Sequence, residues 1–179
     1  MPTIISHPAV PLAIGLGLGS GLIPGRLLLA GVAASVFPDL DVLAFKFGIA
    51  YSDDMGHRGI THSLFFALIV GLLAYYFAPL LRSPPKRAAL FVFIAGLSHG
   101  ILDMFTNGGL GIAFFWPFSH ERFFMPWQMI EVSPLKIDQV LSARGMTVFY
   151  SELRWVWLPC FVFGIILAAA RLRLNQPRR

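Results

Sequence analysis

Between Ser63 and Leu81 the chain runs nineteen residues without a charge. As a helix rising 1.5 Å per residue, that stretch is about 29 Å long, enough to cross the hydrocarbon core of a bilayer. A second uncharged run, Trp155 to Ala170, is flanked by Arg154 and Arg171, whose long side chains can snorkel to the interface. Ala88 to Phe105 is apolar except for His99 and Asp103, and Pro8–Gly25 and Leu27–Pro38 form a shorter apolar pair around a Gly-Ser-Gly-Leu-Ile-Pro-Gly turn at 19–25. The reading is an all-α polytopic membrane helix bundle with about five spans, at 8–20, 25–38, 63–81, 87–105 and 154–171. The first two are short enough to form a re-entrant hairpin instead. Composition agrees: 56% of residues are hydrophobic and 13% charged, against about 45–50% and 25% in soluble domains. This excludes a disordered chain, a fibrous repeat and a soluble enzyme. Residues 1–179 read as one integral-membrane domain. The lone cysteine, Cys160, excludes a disulfide framework and a Cys-built zinc site. No basic residue precedes Arg26, so the start reads as mature protein rather than a secretory signal.

Charge placement orients the spans. Alternate connections hold Arg26, then Arg82, Lys86 and Arg87, then Arg171, Arg173, Arg178 and Arg179, with no acid among them. The other side holds Lys46, Arg58, Arg122, Lys136, Arg144 and Arg154 together with all nine acidic residues. The positive-inside rule makes the first side cytoplasmic, with the N-terminus out and the C-terminus in. The net charge of +5 then needs no nucleic acid to explain it.

Under that topology, polar residues distant in sequence meet at the outer end of the bundle. His99 and Asp103 are four apart on a helix and share a face; ionisable groups at that depth must be paired, hydrated or metal-bound. A His–Asp hydrogen bond clamping two helices is the plain alternative. In His57-Arg58-Gly59-Ile60-Thr61-His62-Ser63, the two histidines converge if the first sits in a Gly-containing turn and the second opens a helix, for which Thr61 is a fair N-cap. Arg58 beside them suits an anionic substrate oxygen, or else anchors the span. Asp39 and Asp41, in a loop ending the second span, can bind one metal or bridge two. His7 opens the first span. His7, His57, His62, His99, Asp39, Asp41 and Asp103 together suit zinc, manganese or iron. Seven donors exceed one tetrahedral ion, so two or more ions are expected.

These strings resemble a known family. The early His7, Phe-Pro-Asp-Leu-Asp at 37–41, His-Arg-Gly-Ile-Thr-His-Ser at 57–63, Leu-Ser-His-Gly-Ile-Leu-Asp at 97–103, then Thr106, Gly108 and Trp116-Pro117 are similar to the YdjM-like group, described as metal-dependent hydrolases of bacterial inner membranes. The resemblance covers roughly residues 5–127; 128–179 are less characteristic. The group is thought to be distantly similar to zinc-dependent phospholipase C and P1-type nucleases. That implies metal ligands at His7, Asp39, Asp41, His57, His62, His99 and Asp103. Some relatives continue the acidic motif with a further His where this chain has Val42; Glu131 and His120 are the candidate replacements.

Residues 105–127 carry eight aromatic rings and three glycines. They read as an aromatic outer loop, either an interfacial lid over the site or a plain aromatic belt. Beyond them, Ser133-Pro134 starts a candidate amphipathic helix at 134–144. The expected activity is a membrane-embedded, metal-dependent hydrolase in which activated water attacks a phosphoester of a lipid or lipid-linked substrate at the outer face of the inner membrane. Asp41 or Asp103 would act as ligand or base. Arg58 would stabilise phosphate charge, with Arg122, His120 and Trp116 as further substrate contacts. A metal-dependent ester or amide hydrolase is the near alternative. A histidine-nucleophile lipid phosphatase lacks its other motifs here. A non-enzymatic metal-binding membrane protein or transporter is the alternative from another class, although transporters place such groups at the midplane and use repeats.

Overall fold

The computed structural model describes residues 1–134 and 142–175. Among them the regular structure is helical throughout, and the only bridging pairs are isolated ones, Thr106 with Ile130 and Ile112 with Phe123. Helix α1 spans Ala9–Leu18, α2 Gly25–Val36, α3 Leu64–Tyr76, α4 Pro85–Met104, α5 Ala143–Glu152 and α6 Leu158–Leu174. Three stretches are long and apolar enough to cross a membrane: Gly25–Phe47, Pro85–Met104 and Ala143–Leu174. Ala9–Leu18 and Leu64–Tyr76 are shorter apolar helices.

Local chemistry explains the ends. Gly19, at φ 79°, stops α1 in a conformation costly for residues with a Cβ. Pro24 and Pro84 sit in extended backbone just ahead of α2 and α4, where a missing N–H costs nothing. The expectation that Thr61 caps the third span is corrected. Ser63 is the cap, its Oγ accepting from Phe66 N at 3.0 Å, because the Thr61 hydroxyl is committed to Asp41. The expected loop at Asp39–Asp41 is also corrected. Helix α2 runs on into 3-10 turns over Phe37–Phe47, with Pro38 in the first turn, and ends at Gly48. The third stretch stays helical only to Tyr76, with turns from Phe77 to Ser83. Of the amphipathic helix expected at 134–144, residues 135–141 lie outside the described residues, and α5 begins at Ala143.

Helix α4 packs against both α2 and α3, and α1 packs against α6. Small residues permit the close approach, as in membrane bundles generally: a Cβ on Gly17 would fall 2.9 Å from the Gly164 carbonyl oxygen. Ile23, Leu27, Ala34, Ala74, Ala88, Phe91 and Val92 form the core where α2, α3 and α4 meet. Helix α6 has no buried residue and presents Phe161, Ile165 and Ile166 outward, as a lipid-facing helix does.

Alternating helix directions bring the start of α1, the end of α2, the start of α3 and the end of α4 together. At the other end, Arg26 donates to Leu80 O and Arg87 to Leu22 O. Arg26, Arg87 and Arg171, among the basic residues named from sequence, therefore gather opposite the histidines.

Candidate metal centre

Four helix ends deliver the polar cluster. His99 and Asp103 project from the last turns of α4, Asp39 and Asp41 from the 3-10 turns after α2, His62 from the turn before α3, and His7 from the segment before α1. His57 sits in the Gly-containing turn ahead of His62. Gly100 makes the assembly possible: a Cβ there would fall 2.6 Å from the His62 carbonyl oxygen, so the 60–62 turn can lie directly on α4.

Two groups of donors result, each with ligand atoms within 4.8 Å of one another: Asp39, His62, His99 and Asp103, and Asp41, His57 and His62. His7 Nε2 joins the first group at 3.6 Å from Asp39 and 3.8 Å from Asp103, and its ring stacks on His99 with centroids 3.7 Å apart. All seven sequence-chosen donors thus come together, and each is buried or nearly so.

The groups differ in how well they are satisfied. Asp41 accepts from His57 Nδ1 at 2.5 Å, Thr61 Oγ1 at 2.7 Å and Arg58 N at 3.1 Å, and stands 3.2 Å from His62 Nδ1. The first group is less so. Both ring nitrogens of His7 and both carboxylate oxygens of Asp39 are buried with no hydrogen-bond partner, while Asp103 has Arg58 Nε and His62 Nε2 each 3.2 Å from Oδ2. Buried carboxylates without partners cost several kcal/mol each, so a cation is the fitting complement.

The histidine tautomers point the same way. His99 Nδ1 lies 2.7 Å from the Ser35 carbonyl; a carbonyl only accepts, so Nδ1 carries the proton and Nε2 presents a lone pair. His62 stands between two carboxylates, its Nδ1 3.2 Å from Asp41 Oδ2 and its Nε2 3.2 Å from Asp103 Oδ2. The two Nε2 atoms face each other at 2.9 Å. An outer hydrogen bond that leaves the other ring nitrogen bare is how metal-ligating histidines are held.

Arg58 is fully buried in a left-handed conformation at φ 64°. Its Nε stands 3.2 Å from Asp103 Oδ2, and its other nitrogens donate to Gly108 O at 2.8 Å and Thr106 Oγ1 at 2.9 Å. All three guanidinium nitrogens thus face oxygen atoms inside the protein. Arg122 donates to the carbonyls of Tyr51, Asp53 and His57, tying down the 51–57 turns. His120 is 69% exposed and pairs with Asp54, whose carboxyl it holds below the ordinary carboxylate range. Trp116 packs edge-on to Phe65. Glu131 bonds Arg144 at 2.7 Å; hydrogen bonds from Asn107 and Arg144 hold its carboxyl low. Neither His120 nor Glu131 belongs to the two donor groups. Burial lowers the His57 imidazole, with Asp41 pulling the other way.

The aromatic segment contributes backbone rather than rings. Ala113 N donates to Arg58 O, and Leu64 N to Phe114 O. Ile112, Ala113 and Thr106 are buried against the site, while Phe118 and Trp127 face outward. The sequence reading passed over Glu152 and Ser35, and gave Thr106 no role beyond the family strings. Only an acid inside an apolar run, as Glu152 is, offered a signal.

No solved structure matches the chain. It is 52% identical over 160 residues to the inner membrane protein YbcI of Escherichia coli (strain K12), covering 89% of this chain and 92% of that protein. The profile of the YdjM inner membrane protein family matches residues 1–176, well beyond the 5–127 that carry the recognisable strings. With that match over nearly its whole length, the chain belongs to the YdjM inner membrane protein family.

Proposed function

We propose that the chain is a metal-dependent hydrolase of the inner membrane, acting on a phosphoester of a lipid or lipid-linked substrate at the outer face, with five spans, N-terminus out and C-terminus in. The observation that carries the metal reading is the convergence of the His62 and His99 Nε2 atoms, 2.9 Å apart, on the buried carboxylates of Asp39 and Asp103. His7, Asp39, His62, His99 and Asp103 would hold one divalent ion, zinc fitting the mixed nitrogen and oxygen donors with manganese or iron as alternatives. The ion would supply Lewis-acid charge to activate water and to offset negative charge developing on a phosphoryl oxygen. Two or more ions, the expectation from the donor count, would require Asp41, His57 and His62 Nδ1 to surrender the bonds they make to one another.

The remaining residues position the donors. Asp41 and Thr61 orient His62, the Ser35 carbonyl orients His99, and Arg58 holds Asp103. A lipid substrate is favoured by an apolar groove between α2 and α3, lined by Ala30, Ala33, Phe66, Ile69 and Leu73. Its outer end is closed by Phe37 stacked on Phe66, two residues from Asp39. A chain lying in the bilayer plane could run along this groove while its headgroup meets the site.

The complete burial of His7, His99 and Asp103 favours a second reading, since closed metal sites are structural and catalytic ones keep an open position. In that reading the ion fastens four helix ends together. Zinc-loaded protein in vesicles of phosphatidylglycerol and phosphatidylethanolamine separates the two. Release of phosphorylated headgroup or diacylglycerol, lost in H99A, supports the hydrolase. Metal retention with no turnover of lipid or of p-nitrophenyl phosphoesters supports the structural site.

A further inference from the structure

Glu152 is the only acidic residue between 142 and 175. It sits at the end of α5, in a stretch that otherwise reads as a membrane span, yet it is buried. A carboxylate there must be satisfied by hydrogen bonds, and all of its donors come from the other end of the chain. Thr3 N donates to Oε1. Thr3 Oγ1 and Ser6 Oγ donate to Oε2 at 2.6 and 2.7 Å. Ser6 Oγ in turn accepts from Trp157 Nε1 at 3.0 Å. Residues five apart on an α-helix point about 140° away from each other. Here the helix widens into a π-turn over Leu153–Trp157, and the i→i+5 register of such a turn lets Glu152 and Trp157 close on the same serine hydroxyl.

Ser6 precedes His7, and His7 has a need that the other histidines of the cluster lack. His62 is oriented by Asp41, His99 by the Ser35 carbonyl and Asp103 by Arg58, whereas neither ring nitrogen of His7 has a hydrogen-bond partner. Its ring is set by stacking on His99 and by the backbone that carries it. That backbone lies ahead of α1, outside any regular helix.

We propose that Glu152 is a positioning residue for His7: through Ser6 and Thr3, with Trp157, it clamps the N-terminal arm and takes the place of the missing hydrogen bond to the imidazole. The inference rests on the metal reading above. It gives the last third of the chain a part in the site, which the family strings at 5–127 did not suggest.

The test is cobalt(II) titration of chelator-stripped, detergent-purified full-length protein, following affinity and the visible d–d spectrum. Wild type, E152A, E152Q, S6A, H7A and the H7A/E152A double variant are compared, with circular dichroism and gel filtration confirming the fold. Loss of an outer-sphere partner typically weakens a metal site about 10–100-fold. E152A is expected to fall in that range with a spectrum moving to that of H7A. E152Q, which keeps the shape and one acceptor oxygen, recovers most of the affinity, and S6A weakens binding several-fold. On the H7A background, E152A adds nothing further. If E152A does not fold, S6A and E152Q carry the same comparison. Wild-type affinity and spectrum in E152A and S6A would overturn the clamp while leaving the metal site standing. An equal loss on the H7A background would make Glu152 a general structural residue. A wild-type chain that takes up no cobalt would overturn both the clamp and the reading it rests on.

Discussion

His62 Nε2 and His99 Nε2 face one another across 2.9 Å at the meeting of α3 and α4, each ring having its other nitrogen tied to an acceptor. A cation bound by both Nε2 atoms would replace that contact, and Asp39 and Asp103 would supply the neutralising charge. His99→Ala and Asp103→Asn should each abolish zinc retention in protein that still elutes as a folded species. Asp41→Asn and His57→Ala should keep a site weakened about 10–100-fold. Zinc competition against a chromogenic chelator measures both.

Arg58 separates a structural from a substrate-binding role. It is buried against Asp103, and removing one partner of such a pair costs about 3–5 kcal/mol. Arg58→Met should therefore lower the unfolding midpoint of metal-free protein sharply, and adding Asp103→Asn should restore much of the loss. If Arg58 served only to bind phosphate, Arg58→Lys would leave the midpoint unchanged and raise KM alone.

The fit of the 60–62 turn on α4 depends on Gly100. Its added Cβ would meet the backbone carbonyl of His62 at 2.6 Å, which cannot swing aside as a side chain can. Gly100→Ala should cost about 1–3 kcal/mol by overpacking and should weaken zinc binding, because the turn that moves carries His62. Thermal unfolding in detergent and zinc competition check the two halves.

The all-helical fold, with three stretches long and apolar enough to cross a membrane, and the convergence of the four helix ends were legible in the sequence. Uncharged runs and alternating charge are one-dimensional signals with a direct physical cause, the cost of charge in hydrocarbon. The clustering of the seven His and Asp residues was legible for the same reason: His99 and Asp103 lie in an apolar helix, where ionisable groups need partners. Which of them bond one another and which stay without hydrogen-bond partners was not legible. Asp39 and Asp41 are two residues apart in one motif, yet the 3-10 turn sends Asp39 to His99 and Asp103, and Asp41 to His57 and Thr61. Arg58 read as a substrate contact because a motif does not reveal that Thr106 and Gly108, fifty residues on, consume its donors. Glu152 was missed because its partners, Thr3 and Ser6, lie at the far end of the chain.

Away from the site, Glu131 gives a pH signature of known sign. Its hydrogen bonds with Asn107 and Arg144 hold its folded pKa below the ordinary value. The pair thus stabilises the protein above the ordinary carboxylate range, and that contribution is lost as pH falls through the depressed folded pKa. Arg144 is largely exposed, so the effect stays below about 1 kcal/mol. Unfolding of wild type and Glu131→Gln should differ slightly at neutral pH and converge in acid.

The central claim is that the buried histidines and carboxylates form one metal site. It is tested most directly by elemental analysis of detergent-purified protein, loaded with zinc and dialysed against metal-free buffer, beside His99→Ala treated identically. One zinc per chain in wild type and none in the folded variant is the predicted result. Wild-type protein that retains no zinc, manganese or iron would contradict it and leave the cluster as a polar clamp between helices.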